Sequence, residues 1–248
     1  MIDIVYTLAD KSNDDYMELR YSLRSLELHG VNYRNVVIVG GLPTWLDRTQ
    51  ITHISEEGRF FKDRNIMIKL MAAADSDKVT SDFWHFNDDY FLLKAYDFKT
   101  LKSCKHEINL YDYVWGIERE NLRWNKYTRI VENTWKILDS RQLPIEFYDV
   151  HLPFKYNSKK FSDAMKKYDW NCPFKIGYII RSLYGNTIGM KAVTITNDVK
   201  LNNLATVEGS ISYLERDEFP MFSSGERDRH NLVRILEKLY PQKSKYEI

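Results

Sequence analysis

Residues 82–93 read Asp82-Phe83-Trp84-His85-Phe86-Asn87-Asp88-Asp89-Tyr90-Phe91-Leu92-Leu93, where an amide and two adjacent carboxylates interrupt an aromatic and aliphatic run. An ionised carboxylate that leaves water must be paired, hydrogen-bonded or bound to a metal. Mg²⁺ and Mn²⁺ prefer oxygen ligands, and one or two carboxylates often hold them together with substrate phosphates. The alternative is a tight turn between two strands, for which Asn87, Asp88 and Asp89 are suitable residues.

The surrounding pattern of strands and helices favours the metal site. Phe83 to Phe86 is predicted as a central strand, so Asn87, Asp88 and Asp89 follow at its carboxyl end. Open α/β sheets bind their ligands at that edge. We therefore expect Asp88 and Asp89 to hold a cation and Asn87 to contact the ligand at this edge.

The segments before this stretch predict an α/β domain. Strands are predicted at Ile2–Thr7, Asn35–Gly41 and near Ile51–Ile54, and helices from Asp14 or Asp15 to about His29 and from about Asp63 to Ala74. Strand, helix, strand and strand at this spacing are typical of the α/β class.

Both predicted helices carry cations that can face phosphate. Arg20 and Arg24 lie four residues apart on the first helix, either paired with acidic neighbours in solvent or aimed at phosphate oxygens. Asn65 and Lys69 lie four residues apart near the start of the second helix. A helix amino terminus with an amide and a cation can hold phosphate, although surface solvation is the commoner role of such residues.

The second half of the chain carries three candidate catalytic residues, His151, Asp198 and Arg181. A lone histidine is more often structural, but a nearby carboxylate can tune it as a base near neutral pH. Asp198 follows a predicted strand, and Arg181 lies on a predicted helix. The predicted elements of this half are a strand at Tyr111–Ile117, helices at about Asn121–Ser140, Lys159–Tyr168 and Ile176–Tyr184, a strand at Val193–Thr196 and a helix at Glu226–Tyr240.

Composition and motifs leave several classes of function without support. The net charge of +1 gives no overall attraction to nucleic acid or anionic membrane, so binding to DNA stays possible but unsupported. Cys104 and Cys172 lack metal-ligand spacing and are predicted to be reduced thiols. Neither a Gly-x-Gly-x-x-Gly fingerprint nor a P-loop motif occurs, which weakens dinucleotide oxidoreduction and P-loop hydrolysis as functions.

The 248 residues suit one large domain, and the sequence has no internal repeat, low-complexity tract or obvious linker. No signal-peptide pattern and no apolar run of bilayer-spanning length occurs, so we expect no membrane span. The expectation is a cytoplasmic protein of a bacterium or a phage-infected host, formed as one catalytic domain over residues 1–248.

Several of these stretches, taken in order, resemble the conserved blocks of the Stealth family of sugar-phosphate transferases. This family includes bacterial capsular polysaccharide phosphotransferases and the animal GlcNAc-1-phosphotransferase. The first block is resembled by Ile2–Thr7, and the long second block by Glu18–Glu27, Val37–Val39, Pro43–Leu46 and Phe86–Asp89. Weaker similarities occur at His151–Pro153, Thr196–Asp198 and Leu239–Glu247.

The resemblance implies a GT-A-like three-layer α/β sandwich with a central mixed, mostly parallel sheet. Residues 1–118 would bind a nucleotide-sugar donor, expected to be a UDP-sugar, and residues 119–248 would face a saccharide or another hydroxyl acceptor. Mg²⁺ or Mn²⁺ would lie near Asp88 and Asp89. The residues that would contact the donor are Thr7, Asp10, Arg20, Arg24, Asn65, Lys69 and Asn87.

Two departures from the family pattern leave the transferred group open. Family members usually have Tyr-Thr-Trp-Val-Asp-Gly where this chain has Tyr6–Lys11, and Phe-Asn-Ser with a later Glu where it has Arg64–Lys69. A lysine in place of an acidic residue near the donor phosphates can change which bond breaks. Attack at the anomeric carbon gives glycosyl transfer, whereas attack at phosphorus delivers sugar-1-phosphate.

The expected function is therefore a metal-dependent glycosyltransferase or sugar-1-phosphate transferase that uses a nucleotide sugar. One alternative is a phage enzyme that glycosylates hydroxymethylated pyrimidines in DNA, with the lysine-rich residues 155–167 approaching the backbone. Another is a non-catalytic carbohydrate- or nucleotide-binding module.

Overall fold

The computed structural model describes residues 1–10, 15–171, 176–196, 199–201, 207–215, 220–225 and 229–248. The strands of this part are β1 (Ile2–Leu8), β2 (Gly30–Val31), β3 (Tyr33–Gly40), β4 (Thr52–Ile54), β5 (Asp82–Phe86), β6 (Tyr90–Leu92), β7 (Tyr96–Asp97), β8 (Cys104–His106), β9 (Phe154–Asn157), β10 (Val193–Ile195), β11 (Lys200–Leu201) and β12 (Met221–Ser224). The helices are α1 (Met17–His29), α2 (Lys62–Ala74), α3 (Leu110–Arg119), α4 (Lys126–Asp139), α5 (Ser158–Met165), α6 (Ile180–Thr187), α7 (Val207–Leu214) and α8 (Arg229–Leu239).

A five-stranded sheet of order β4-β3-β1-β5-β9 forms the centre of the molecule. Its first four strands are parallel, and β9 runs antiparallel to β5. The predicted α/β class with a mostly parallel central sheet is thus confirmed. Because β1, β3 and β5 are parallel, their carboxyl ends meet at one edge, where Asn87, Asp88 and Asp89 follow β5.

Helices cover both faces of this sheet, which explains why its strands are apolar on both sides. Ile4 and Trp84 belong to a core cluster with Leu23 of α1. Their neighbours in the two strands, Val5 and Phe83, belong to a cluster on the opposite face with residues of α2, α4, α5 and α6. Successive side chains of a strand point to opposite faces, so the two faces carry separate cores.

A smaller sheet of order β11-β12-β6 continues from the turn at residues 87–89. Strand β6 runs antiparallel to β12, and the rings of Phe91 and Phe222 lie 4.9 Å apart. This sheet packs with α7 and α8 in a third apolar cluster. None of the helices in the described ranges combines the length and apolarity of a membrane span.

The strand predicted at Tyr111–Ile117 is wrong, because this segment is helix α3. Its apolar residues Leu110, Val114 and Ile117 recur at helical spacing, and the side chain of Asn109 caps the helix by accepting from the Asp112 amide at 2.8 Å. Aromatic content suggested a strand, but the cap and the spacing determine the structure.

Several predicted helix bounds also needed correction. Helix α4 begins at Lys126, not near residue 121, because Asn125 caps it by accepting from the Thr128 amide at 2.9 Å. Helix α6 begins at Ile180, four residues later than predicted, and α5 ends at Met165. Asn197, Asp198 and the first residues of the predicted last helix lie outside the described residues.

Candidate active site at the carboxyl edge of the central sheet

A buried lysine lies beneath the carboxyl end of β1. Lys69 on α2 is only 3% exposed, and its Nζ donates to the Leu8 carbonyl and lies 3.4 Å from Asp10 Oδ2. Gly40 at the end of β3 has a φ of +101°, and a Cβ there would collide with Lys69 Nζ and the Leu8 carbonyl oxygen. Glycine is therefore required at this position both by the backbone and by the approach of the lysine.

Asp10 ties the loop after β1 to the loop before α2. Its Oδ2 accepts from the Gly58 amide at 2.8 Å as well as facing Lys69. Asn65 closes the second loop, because its side chain accepts from the Phe60 amide at 2.8 Å and donates to the Phe60 carbonyl at 2.6 Å. The structure thus brings the predicted residues Asp10, Asn65 and Lys69 together, where they organise the backbone around the end of β1.

His85 and Thr7 join β5 to β1 at the same edge. His85 Nε2 and Thr7 Oγ1 lie 3.1 Å apart, and His85 is 4% exposed. Burial, with a contribution from the charge of Arg181, holds the pKa of His85 well below its ordinary value, so the imidazole is neutral at neutral pH. Its Nδ1 has no hydrogen-bond partner among the described residues.

The turn that carries the carboxylate pair lies between β5 and β6. Asp88 and Asp89 form the tight turn that was the alternative to a metal site, and this turn lies at the carboxyl edge of the sheet, where the cation site stays a prediction. Asp89 Oδ2 accepts from Ser223 Oγ of β12 at 3.1 Å. Burial raises the pKa of the Asp89 carboxyl to about 6, and the negative charge of Asp88 adds to the rise.

The carboxylate pair has the chemistry of a hard-cation site. At the other end of β1, the fully buried Asp3 accepts from Arg34 through both oxygens, at 2.8 and 2.6 Å. Within the described residues, the Asp89 carboxylate accepts a hydrogen bond from the Ser223 hydroxyl, and no arginine or lysine lies at ion-pair distance from it. Its pKa is raised first by burial and then by the negative charge of Asp88, and a divalent cation bound between the two carboxylates would oppose both effects.

The described residues form no group of three histidine, cysteine or acidic side chains that could hold a metal. The protein ligands would then be the two carboxylates, with the other coordination positions taken by water or substrate oxygens. Mg²⁺ commonly binds in that way, through one or two carboxylates and the phosphates of a substrate.

A cavity of about 430 Å³ opens beside the carboxyl end of β5. Its polar lining comes from the end of β5, the first turns of α2, α4 and α6, and the segment before β9. The polar residues of this lining are Lys62, Asp63, His85, Asn87, Tyr90, Lys126, Tyr127, Asp149, His151, Tyr156, Tyr178, Arg181 and Lys200. The predicted residues Asn87, His151 and Arg181 therefore share one cavity.

Arg181 fixes the segment that carries His151. Its Nη1 donates to the carbonyls of Val150 and Leu152, at 2.5 and 2.9 Å, and its Nη2 donates to the Tyr90 hydroxyl at 3.1 Å. The two carbonyls flank His151, which also lowers the pKa of Asp89 through its charge. These bonds indicate that Arg181 positions His151 between the cavity and the carboxylate turn.

Arg20 and Arg24 lie elsewhere, against the carboxyl-terminal segment. Arg24 donates to both carboxylate oxygens of Glu247, at 2.7 and 2.8 Å, and to the Tyr240 carbonyl at 3.1 Å. The Arg20 guanidinium lies 4.7 Å from the centre of the Trp45 ring. Neither arginine lines the cavity, and their proposed contacts with phosphate stay predictions.

Two further predictions concern residues away from the cavity. Asp198 lies outside the described residues, so its predicted catalytic role stays a prediction. In the lysine-rich region, Lys155 pairs with Asp82 at 3.0 Å and Lys159 with Asp163 at 2.8 Å. These ion pairs agree with the solvated face that the sequence indicated.

Most polar residues of the cavity were not predicted from the sequence, and Asp63, His85 and Tyr156 are among them. His85 lies in β5, whose other residues are mostly aromatic, Tyr156 lies in β9, and Asp63 lies in the first turn of α2. A histidine inside an otherwise aromatic strand was the available signal. This histidine can be recognised as a site residue only once the strand register is known, because the register places it on the face of the sheet that lines the cavity.

Comparison with solved structures identifies the fold. The chain is similar to the galactosyltransferase LgtC, solved in complex with donor and acceptor sugar analogs, with a TM-score of 0.55, 10% identity and coverage of 98% of this chain and 97% of that one. Mouse xyloside xylosyltransferase 1, in its apo form, gives a TM-score of 0.41 at 10% identity, covering 92% and 99%. The apo glycosyltransferase GlyE of Streptococcus pneumoniae TIGR4 gives 0.43 at 9% identity, covering 98% and 60%.

The sequence itself matches no family model and no curated protein. The fold is that of GT-A-type glycosyltransferases, as expected, with a central and mostly parallel mixed sheet.

Proposed function

We propose that this chain is a metal-dependent transferase that uses a nucleotide-sugar donor. The observation that carries the proposal is the pair Asp88 and Asp89 at the carboxyl end of β5, next to a polar cavity, where the Ser223 hydroxyl is bonded to Asp89 and no arginine or lysine of the described residues forms an ion pair with it. The GT-A-type fold supports it, because an α/β sheet binds its ligands at this edge.

In this proposal the donor lies across the ends of β1 and β5. Asp88 and Asp89 would hold Mg²⁺ or Mn²⁺, which when bound offsets the charge of the diphosphate as the nucleotide leaves. Thr7 and Asp10 would border the base or ribose, with a UDP-sugar as the expected donor. Lys69, which lies beneath the carboxyl end of β1, would act indirectly by holding the Leu8 carbonyl and Asp10 in place.

His151 is the residue we propose for orienting or deprotonating the acceptor hydroxyl. It lines the cavity, and the bonds from Arg181 to the flanking carbonyls hold its backbone in place. Histidine is a common general base in enzymes that work near neutral pH, so this residue type suits the role. Asp198 is kept as a second candidate for the same role.

The two candidate reactions differ in which bond of the nucleotide-sugar donor breaks. The GT-A-type fold supports glycosyl transfer, whereas the Stealth resemblance supports transfer of sugar-1-phosphate. The two reactions release different nucleotides, because attack at the anomeric carbon frees the nucleoside diphosphate and attack at phosphorus frees the monophosphate. Chromatography of the nucleotide product after incubation with donor and acceptor saccharides distinguishes them.

A thermal-shift screen of nucleotide sugars, with and without Mn²⁺, tests the proposal itself. A ligand that binds only the native state raises the melting temperature, so we expect a shift that requires both the nucleotide and the metal. The proposal would be contradicted if the wild-type protein showed no such shift with any nucleotide sugar or nucleoside diphosphate. Slow hydrolysis of the donor by the wild-type protein would exclude the alternative that the chain is a non-catalytic binding module.

A further inference from the structure

Three buried polar atoms without a hydrogen-bond partner line the one cavity described above. They are Nδ1 of His85, the hydroxyl oxygen of Tyr156 and Oδ2 of Asp63. His85 is 4% exposed and Tyr156 is 1% exposed. More than about nine-tenths of buried polar groups in folded proteins are bonded, so three such atoms around one space indicate a ligand.

The protein holds these groups in place from behind. The Tyr156 ring packs against Phe161 and Tyr184, at centroid distances of 4.7 and 4.9 Å, and lies 6.2 Å from the His85 ring. The other nitrogen of His85 is engaged by Thr7 at 3.1 Å. These contacts keep both rings ordered while one polar atom of each remains for a ligand.

The Asp63 carboxylate is held by the chain that crosses it. A Cβ at Gly177 would lie 2.7 Å from the Asp63 Cβ, so only glycine permits the segment before α6 to pass this closely. Apolar side chains complete the lining, from Ile66, Leu70, Ile130, Val150, Ile179 and Ile180. The cavity therefore presents polar atoms and apolar surface together.

The mixture of groups selects the chemistry of the ligand. Asp63 accepts only, a neutral imidazole and a phenol can each donate or accept, and a second carboxylate, Asp149, lies in the same lining. The same lining contains the donors Lys62, Lys126, Arg181 and Lys200, so the cavity offers donors and acceptors together, and a hydroxyl, which both donates and accepts, can bond to either kind. A pyranose ring has hydroxyls at its edge and apolar C–H groups on its faces, and about 430 Å³ is within the usual range of small-molecule sites, about 300–1,000 Å³.

We propose that this cavity binds the pyranose ring of a sugar and that Tyr156, His85 and Asp63 recognise its hydroxyl groups. The inference deepens the proposed function, because the cavity adjoins the carboxylate turn through Asn87. The sugar is either that of the nucleotide-sugar donor or that of an acceptor saccharide.

The test compares Tyr156→Phe with a matched variant, Tyr184→Phe. The Tyr156 hydroxyl has no protein partner among the described residues, so its removal is expected to leave the melting temperature unchanged. The Tyr184 hydroxyl accepts from the Asn157 amide at 3.0 Å and does not line the cavity, so its removal should lower the melting temperature only.

Calorimetric titration in the presence of Mn²⁺ then gives the dissociation constants for UDP and for the UDP-sugar with the largest thermal shift. We expect Tyr156→Phe to weaken the UDP-sugar about 3- to 10-fold and to leave UDP unchanged, as for the loss of one hydrogen bond. Asp63→Asn should do the same. Tyr184→Phe should alter neither constant.

A second arm uses methyl pyranosides, detected by saturation-transfer NMR with UDP and Mn²⁺ present. Binding that Tyr156→Phe weakens would assign the cavity to the acceptor sugar, and an effect on the UDP-sugar alone would assign it to the donor sugar. Equal binding of all sugar ligands by wild type and Tyr156→Phe would overturn the inference, as would failure of every sugar ligand to bind. Absence of UDP binding with intact pyranoside binding would instead contradict the proposed function alone.

Discussion

Asp89 accepts a hydrogen bond from Ser223 at 3.1 Å, which joins the turn after β5 to a strand 134 residues later. This serine is the hydrogen-bond partner of the Asp89 carboxylate within the described chain, and it is neutral. Burial, to which the negative charge of Asp88 adds, raises the pKa of the Asp89 carboxyl to about 6, while the Ser223 bond and the charge of His151 act in the opposite direction. Such a site is costly for stability and useful for holding a cation.

Asp89→Asn is expected to stabilise the metal-free protein by about 1 kcal/mol at pH 8, because it removes a partly buried charge and keeps the shape. Asp3→Asn is the matched control. It leaves Arg34 without its carboxylate partner, so we expect a loss of about 2 kcal/mol. Urea unfolding of both variants measures the two changes, and a loss in Asp89→Asn equal to that in Asp3→Asn would refute the assignment of Asp89 as a cation ligand.

Gly40→Ala is expected to destabilise the protein by about 2 kcal/mol or more, since the φ of +101° is strained for alanine and the Cβ meets a backbone oxygen. The displaced Lys69 should also weaken nucleotide binding in the presence of Mn²⁺. Gly116→Ala is the control, because a Cβ at Gly116 has nothing within 4 Å and the residue lies in α3. Equal stabilities of the two variants would contradict the account of Lys69.

Arg181→Lys is expected to reduce donor turnover about 10- to 100-fold while KM for the donor stays unchanged, because a lysine cannot hold both carbonyls beside His151 in the same geometry. A purely structural role would lower stability without this separation of kcat from KM. Steady-state kinetics below the melting temperature of the variant decides the point. Wild-type kcat in Arg181→Lys would exclude the positioning role.

The pair of Arg24 and Glu247 predicts a pH dependence of stability. Burial alone would raise the pKa of Glu247, but hydrogen bonds from Arg24 and Ser244 hold it below its ordinary value of 4.5. A lowered folded-state pKa gives stability that is present above 4.5 and lost as the pH falls through the folded-state value.

Glu247→Gln should therefore be less stable than wild type at pH 7, and the difference should shrink below pH 4.5. Urea unfolding between pH 3 and pH 7 measures this difference, about 1 to 2 kcal/mol at neutral pH for hydrogen bonds to a charged group. A difference that stays constant down to pH 3 would show that the carboxylate charge does not contribute.

The sequence was most informative where local pattern and burial agree. The apolar strands β1, β3 and β5 were predicted within two residues at each end, because parallel strands buried on both faces give continuous apolar runs. The carboxylate pair was found because charge in such a run is costly. Segment 111–117 was mistaken for a strand, since its aromatic residues fit the surface of α3 equally well.

The cavity was beyond prediction from the sequence, because it joins residues from separate elements. His85 and Tyr156 face it through the antiparallel pairing of β5 with β9, and Asp63 reaches it from α2. For Arg24 the sequence predicted a phosphate contact from its spacing to Arg20. The structure instead pairs it with Glu247, which lies 223 residues away in the chain. Long-range register and packing determine which polar residues meet, and neither can be derived from one chain without a structure.

The central claim is that Asp88 and Asp89 hold a divalent cation that in turn holds the diphosphate of the donor. Titration of Mn²⁺ followed by electron paramagnetic resonance, with UDP present, tests it most directly. We predict one bound Mn²⁺ per wild-type chain and none in the doubly substituted Asp88→Asn, Asp89→Asn protein, which should remain folded. Equal Mn²⁺ binding by both proteins, or none by the wild type at millimolar metal, would contradict the claim.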